Sequence, residues 1–136
     1  MTPPIIEWVK LYTTPEDLYR TYVDSAKHSE MTGMPAEMSE QVGAKWSAFG
    51  GSIYGTNLMF VPGKMIVQTW RSTEFKKTDS DSIMVMNFSK TTDGAAQIHL
   101  VHVNVAEQDH KGVTNGWKQY YWDPWRAYIK KLKGKK

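Results

Sequence analysis

The sequence predicts an α+β domain in which an antiparallel sheet of about six strands packs against one long C-terminal helix. Three observations support this class. Period-two alternation fills the middle of the chain, two short helical segments precede it, and a long aromatic stripe at helical spacing follows it. The 136 residues suit a single domain, because a chain of this length can bury a substantial core.

The first predicted strand is the apolar, β-prone run from Pro4 to Tyr12. The side chains expected to face inward are Ile6, Trp8, Val9 and Leu11.

Two short helices are predicted after this strand. Thr14 is a suitable N-cap, and a proline at the first helical position favours a helix over Pro15–Val23. A second helix is expected to start at Asp24 and to reach about Glu30, with Gly33 ending it.

Five further strands are predicted in the middle of the chain, separated by glycine-containing turns and one charged loop. They are Lys45–Phe49, Ser52–Val61, Lys64–Arg71, Ser82–Lys90 and Ala95–Val105. Gly55 interrupts the second of them and indicates a bulge or a close backbone approach.

Alternation assigns the faces of the last two strands. Met84, Met86 and Phe88 share one face of their strand, and Ile98, Leu100 and His102 share one face of the next. We expect both sets to point inward.

The last segment is the clearest predicted helix, and its apolar stripe spans about five turns. The stripe consists of Val113, Trp117, Tyr120, Tyr121, Pro124, Trp125, Tyr128, Ile129 and Leu132. Because a proline inside a helix removes a backbone donor and clashes with the preceding turn, Pro124 predicts a kink near residues 120–123.

Composition excludes several classes of protein. No cysteine is present, so thiol chemistry, disulfides and cysteine-based zinc sites are excluded. No stretch resembles a signal peptide or a membrane span, and we expect a cytoplasmic protein. The net charge of +3 depends on the lysines from Lys130 onward, without which it becomes −2. This predicts a frayed basic tail over residues 130–136 and argues against nucleic-acid binding.

Several stretches, in order along nearly the whole chain, resemble the START/birch-pollen-allergen (helix-grip) superfamily. Within it, the chain is most similar to bacterial single-domain proteins related to the C-terminal domain of the activator of heat-shock-protein-90 ATPase. The matching stretches are VDSAKH (23–28), VGAKWSAFGGSIYGTN (42–57), VPGKMIVQTWR (61–71), HLVHVNV (99–105) and GWKQYYWDPW (116–125).

The resemblance implies a helix-grip fold, in which the curved antiparallel sheet wraps around the long C-terminal helix and encloses an internal apolar cavity, either open or filled by side chains. Such a cavity suits a small hydrophobic or aromatic ligand. The residues expected around it are Trp46, Tyr54, Gln68, Trp70, Met84, Met86, His102, Trp117, Tyr121 and Trp125. We expect the loops over residues 74–81 and 105–111 to lie near its entrance.

His102 is the polar residue of most interest. It is either an anchor or general base for a ligand, or a core histidine hydrogen-bonded to a Tyr or Trp of the helix. The second interpretation is preferred, because no Ser, Cys or carboxylate has matching spacing. The four histidines show no metal-binding pattern, since His99 and His102 face opposite sides of one strand.

Three functions follow from these observations. The chain is interpreted first as a binding protein without cofactor, metal or catalytic residues. A second possibility is a co-chaperone-like interaction domain, which the resemblance implies. The third is an enzyme acting on a hydrophobic substrate in the same cavity. Monomer and dimer both remain open.

Overall fold

The computed structural model describes residues 1–134 and shows the predicted α+β helix-grip fold. Its strands are β1 (Ile5–Leu11), β2 (Lys45–Ala48), β3 (Ile53–Val61), β4 (Met65–Ser72), β5 (Ser82–Lys90) and β6 (Ala96–Val103). Its helices are α1 (Pro15–Val23), α2 (Ser25–Thr32), α3 (His110–Gly116) and α4 (Asp123–Gly134), with a π-helical segment, Trp117–Trp122, joining the last two. Within these residues no helix combines the length and the apolarity needed to cross a membrane.

The six strands form one antiparallel sheet in the order β1-β6-β5-β4-β3-β2. The strands from β2 to β6 pair with their sequence neighbours, and β1 closes the far edge by pairing with β6. The C-terminal helix lies across the inner face, where the fully buried Trp125 shares one core with Met84, Leu100 and Ile66. This arrangement confirms the predicted fold class.

Local sequence signals place α1 and α2. Thr14 caps α1 by accepting a hydrogen bond from the Asp17 backbone N–H to its Oγ1 at 3.0 Å. Asp24 caps α2 in the same way. Helix α2 runs two residues beyond the predicted end, and Gly33 then terminates it at a φ of 79°, a left-handed conformation that favours glycine.

The predicted inward face of β1 is wrong for its first half. Ile6 and Trp8 are 56% and 63% exposed, whereas Ile5, Val9 and Leu11 are buried. Pairing with β6 decides this orientation, because inward residues of one strand stand beside inward residues of the next.

The predicted kink is a π-helical segment that ends two residues before Pro124. A π segment holds about one extra residue per turn, so the side chains that follow it point in different directions from those that a regular α-helix would give. As a result Trp122, which the simple helical spacing leaves out, is buried. Its Nε1 donates to Glu7 Oε1 of β1 at 2.6 Å.

Most of the predicted frayed tail belongs to helix α4. Helix α4 continues through Gly134, so residues 130–134 are helical rather than frayed. Residues 135–136 lie outside the described part of the chain.

Candidate functional site

A groove of about 630 Å³ lies between the C-terminal helix and the β2–β4 end of the sheet. Its lining comes from the end of α2, the β2–β3 turn, β4 with the loop after it, and the helix. The lining residues are Thr32, Gly33, Met34, Phe49, Ser52, Ile53, Trp70, Ser72, Thr73, Glu74, Asp109, Gly112, Val113, Gly116, Trp117, Tyr120 and Tyr121. We refer to it below as the groove.

Aromatic side chains form much of the groove wall. The Phe49 ring packs edge-on against the rings of Tyr120 and Tyr121, with centroid separations of 5.8 and 5.5 Å. Trp117 lies against Tyr121 at 5.0 Å. Tyr120 and Tyr121 both belong to the π segment and both line the groove, although Tyr120 is half exposed and Tyr121 is buried.

Phe49 adopts an uncommon backbone conformation, with φ at 54°. A bulky residue in the left-handed region carries strain of about 1–3 kcal/mol, and such strain concentrates at functional sites. The strained turn keeps the Phe49 ring against the helix at the groove wall.

Two acidic residues lie on the polar side of the groove, and one buried serine connects them. Ser72 Oγ donates to Asp109 Oδ2 at 2.5 Å and accepts from the Glu74 backbone N–H at 3.1 Å. The two residues come from the loops over residues 74–81 and 105–111, which the sequence places near the entrance. The groove therefore combines an apolar wall with a short acidic rim.

His102 lies in the core beside the groove and has the hydrogen bonds of a core histidine. Its Nδ1 accepts from Trp117 Nε1 at 3.2 Å, and its Nε2 lies 2.9 Å from Ser82 Oγ. Burial lowers the pKa of His102 to about 3. The bond to Trp117 confirms the preferred interpretation, a core histidine bonded to a Trp of the helix. The expectation that no serine has matching spacing is wrong, because pairing of β5 with β6 brings Ser82 beside the ring.

A second buried histidine, His28, was not predicted as a site residue. Its Nδ1 lies 2.8 Å from the Tyr22 carbonyl oxygen and its Nε2 2.9 Å from Tyr121 Oη. Because a carbonyl only accepts, Nδ1 carries the proton and Nε2 accepts from the tyrosine hydroxyl. Burial lowers the pKa of His28 to about 4. This pair ties α2 to the groove wall through Tyr121.

The ten predicted cavity residues divide into three groups. Trp70, Trp117 and Tyr121 line the groove. Six others are buried in the core and do not line it: Trp46, Gln68, Met84, Met86, His102 and Trp125.

Tyr54 does not face the concave side and is 39% exposed. It pairs with Arg71 on the outer face of the sheet. Its neighbour Gly55 occupies the inward position, where Trp46 Nε1 donates to the Thr69 carbonyl oxygen at 3.0 Å. Because glycine has no side chain, the alternation of apolar and polar residues does not show which face of β3 points inward at this position. The expectation that Tyr54 faces the cavity was wrong for this reason.

Several lining residues were missed because they lie in turns or on the rim. Phe49 and Asp109 sit at a turn and at a helix start, where periodicity gives no direction.

Two buried indole nitrogens, Trp70 Nε1 and Trp125 Nε1, have no hydrogen-bond partner within residues 1–134. In the same range no three potential metal-binding side chains form a cluster.

Comparison with known proteins places this architecture in a family. A family model described as "Activator of Hsp90 ATPase homolog 1-like protein" matches residues 12–130. An "Activator of 90 kDa heat shock protein ATPase homolog" from Dictyostelium discoideum is 29% identical over 106 residues. That match covers 78% of this chain but only 27% of the relative.

Solved structures agree on the fold. A heat-shock-protein-90 activator from Plasmodium falciparum superposes with a TM-score of 0.85 at 22% identity, covering 94% of this chain and 96% of that one. The Aha1 dimer from Colwellia psychrerythraea gives 0.75 at 11% identity, covering 90% and 92%. Since the family model spans most of the sequence and these folds coincide, the chain belongs to the Activator of Hsp90 ATPase homolog 1-like family.

Proposed function

We propose that this domain is a non-catalytic binding protein that holds a small hydrophobic or aromatic molecule in the groove. The observation that carries the proposal is the groove itself. Its volume of about 630 Å³ lies within the roughly 300–1,000 Å³ typical of small-molecule sites. Its aromatic wall and few polar groups also fit that profile.

The contacts of the two buried histidines favour binding over catalysis. The nitrogens of His102 and His28 lie within hydrogen-bonding distance of core groups, and burial holds both imidazoles neutral. Within residues 1–134 no carboxylate is hydrogen-bonded to either ring. A general base would need a partner that orients it and access to substrate.

Titration with naphthalen-1-ylmethanol tests the proposal, followed by calorimetry and by thermal unfolding. A ligand at ten times its Kd stabilises the folded state by about 1.4 kcal/mol and raises Tm by a few degrees. We expect binding to the parent protein with such a shift.

A matched pair of variants locates the binding site. Gly112→Phe adds a ring at the groove, whereas Gly134→Phe adds the same ring at the helix end, where nothing lies within 4 Å of the added Cβ. We expect Gly112→Phe to weaken binding at least tenfold and Gly134→Phe to leave it unchanged. Equal affinity in both variants would place the ligand elsewhere.

A second candidate function, a co-chaperone-like interaction, is favoured by the outer face of the sheet. Antiparallel sheets with one solvated face normally carry polar residues there. Here an apolar row crosses five strands in direct register: Ile6, Val101, Val85, Val67 and Met59. Its two ends are 56% and 49% exposed. Contiguous exposed apolar surface is characteristic of protein-interaction sites.

Mixing the domain with a purified heat-shock-protein-90 chaperone tests this second function through ATP turnover. We expect the double substitution Ile6→Lys and Met59→Lys to abolish any change that the domain causes in the ATP turnover of the chaperone. Val42→Lys is the control, because Val42 is 68% exposed in a loop outside the row. This surface would be excluded if the parent domain did not bind the chaperone at micromolar concentration. It would also be excluded if the double variant and Val42→Lys lost the effect on ATP turnover equally.

A further inference from the structure

We infer that the groove selects ligands that carry a cationic amine beside an aromatic body. This inference rests on the proposed binding function and specifies the chemistry of the ligand. Two features of the groove support it: the sign of the charges along its rim, and the aromatic residues that line it together with those charges.

The rim carries negative charge only. Asp109 and Glu74 line the groove, and no Lys, Arg or His of the described residues does. The ion pairs formed within residues 1–134 lie elsewhere and leave both carboxylates without a cationic partner. A partly exposed carboxylate about 4 Å from an ammonium group attracts it strongly enough for a preference of about tenfold.

Hydrogen bonds fix the Asp109 carboxylate and the backbone of Glu74 on the rim. Ser72, which is 7% exposed, binds the Asp109 carboxylate through Oγ and accepts from the Glu74 backbone N–H. The Glu74 carbonyl oxygen accepts from Gln108 Nε2 at 3.0 Å, which joins the two loops. A carboxylate that is already positioned loses less conformational freedom when a ligand binds.

Aromatic faces provide the second feature. Phe49, Trp117 and Tyr120 line the same groove as the acidic rim. An ammonium group over an aromatic face is attracted by the quadrupole of the ring, and an aromatic ligand body stacks on such rings.

Three probes that share a 6-methoxynaphthalene body test the inference. They carry an ethylamine, an ethanol or an acetate side chain, and differ in charge at nearly constant shape. Calorimetry at physiological ionic strength gives the three Kd values. We expect the amine to bind about tenfold more tightly than the alcohol, and the acetate to bind most weakly.

Variants assign the preference to the rim. Asp109→Asn should reduce the preference for the amine over the alcohol, expressed as the ratio of their affinities, to about threefold or less. The affinity for the alcohol reports whether the groove is intact. Glu74→Gln should reduce the ratio in the same direction. Glu107→Gln removes the same charge from an exposed neighbouring residue outside the groove and should keep the parent ratio.

The possible results separate this inference from the proposed function. Equal binding of amine and alcohol, tighter binding of the acetate, or an unchanged ratio in Asp109→Asn overturns the inference and leaves the groove as a binding site. If none of the three probes binds at millimolar concentration, both the inference and the proposed function fail.

Discussion

Acidification below pH 6.5 is expected to destabilise this protein through two buried histidines. Burial lowers the pKa of His28 to about 4 and that of His102 to about 3, from 6.5 in an exposed histidine. Both rings are therefore neutral in the folded protein but become protonated in the unfolded chain as pH falls below 6.5. Because the unfolded state then binds more protons, the free energy of unfolding decreases with falling pH.

The magnitude follows from these pKa values. At pH 5 an unfolded histidine is mostly protonated and each folded ring is still neutral, so each residue costs about 2 kcal/mol of stability. Together His28 and His102 account for about 4 kcal/mol, which is a large share of the ~5–15 kcal/mol that stabilises a typical domain. The stability is complete above about pH 6.5 and is lost progressively towards pH 4.

Urea unfolding at half-unit steps from pH 5 to pH 7 measures this effect. Replacing His102 by Gln removes one of the two titrating groups and should reduce the slope of stability against pH by up to about 1.4 kcal/mol per unit. His28→Gln should do the same, and the double variant should lose both contributions. Only the slope is compared, so the stability that each substitution itself removes does not affect the result.

Two outcomes would refute this reasoning. One is a free energy of unfolding that stays constant between pH 7 and pH 5 in the parent protein. The other is a pair of single variants that keep the slope of the parent. Either result would mean that the buried rings are already protonated in the folded protein, or that they are not buried.

Two further predictions concern the core. In Gly55→Ala the added Cβ would lie 1.9 Å from the Thr69 carbonyl oxygen, so we expect a loss of at least about 3 kcal/mol in urea unfolding. Gly134→Ala should change stability by less than about 1 kcal/mol, and a similarly small change in Gly55→Ala would contradict the close approach. Gln68→Leu should cost about 1–3 kcal/mol, because it leaves the buried Tyr22 hydroxyl without its 2.8 Å partner. Adding Tyr22→Phe should restore part of that loss, and a neutral Gln68→Leu would refute the role of this hydrogen bond.

The sequence predicts an element well where its local signals agree. Helix α1 begins and ends at the predicted residues, because a cap, a proline and apolar spacing coincide there. Strand β5 also has its predicted bounds and face, since strict alternation leaves one orientation possible. The inward position of His102 follows from the same alternation in β6.

Errors arise where the pattern is ambiguous. The first strand has apolar residues at adjacent positions, Ile5–Ile6 and Trp8–Val9, so alternation does not define which residue of each pair faces the core. Tyr54 stands beside a glycine that marks no face. His28 lies on a helix with weak amphipathic character, and its burial depends on Tyr121, which is 93 residues away.

The sequence alone thus determined the α+β class, the order of the elements and the long aromatic helix, because periodicity, caps and turns act over a few residues. Only the tertiary structure decided which face of β1 is buried, that Trp122 of the π segment joins the core, and where the groove opens. The groove forms where α2, the β2–β3 turn, β4 and the C-terminal helix meet. Such a meeting depends on long-range packing and strand register, which no local pattern encodes.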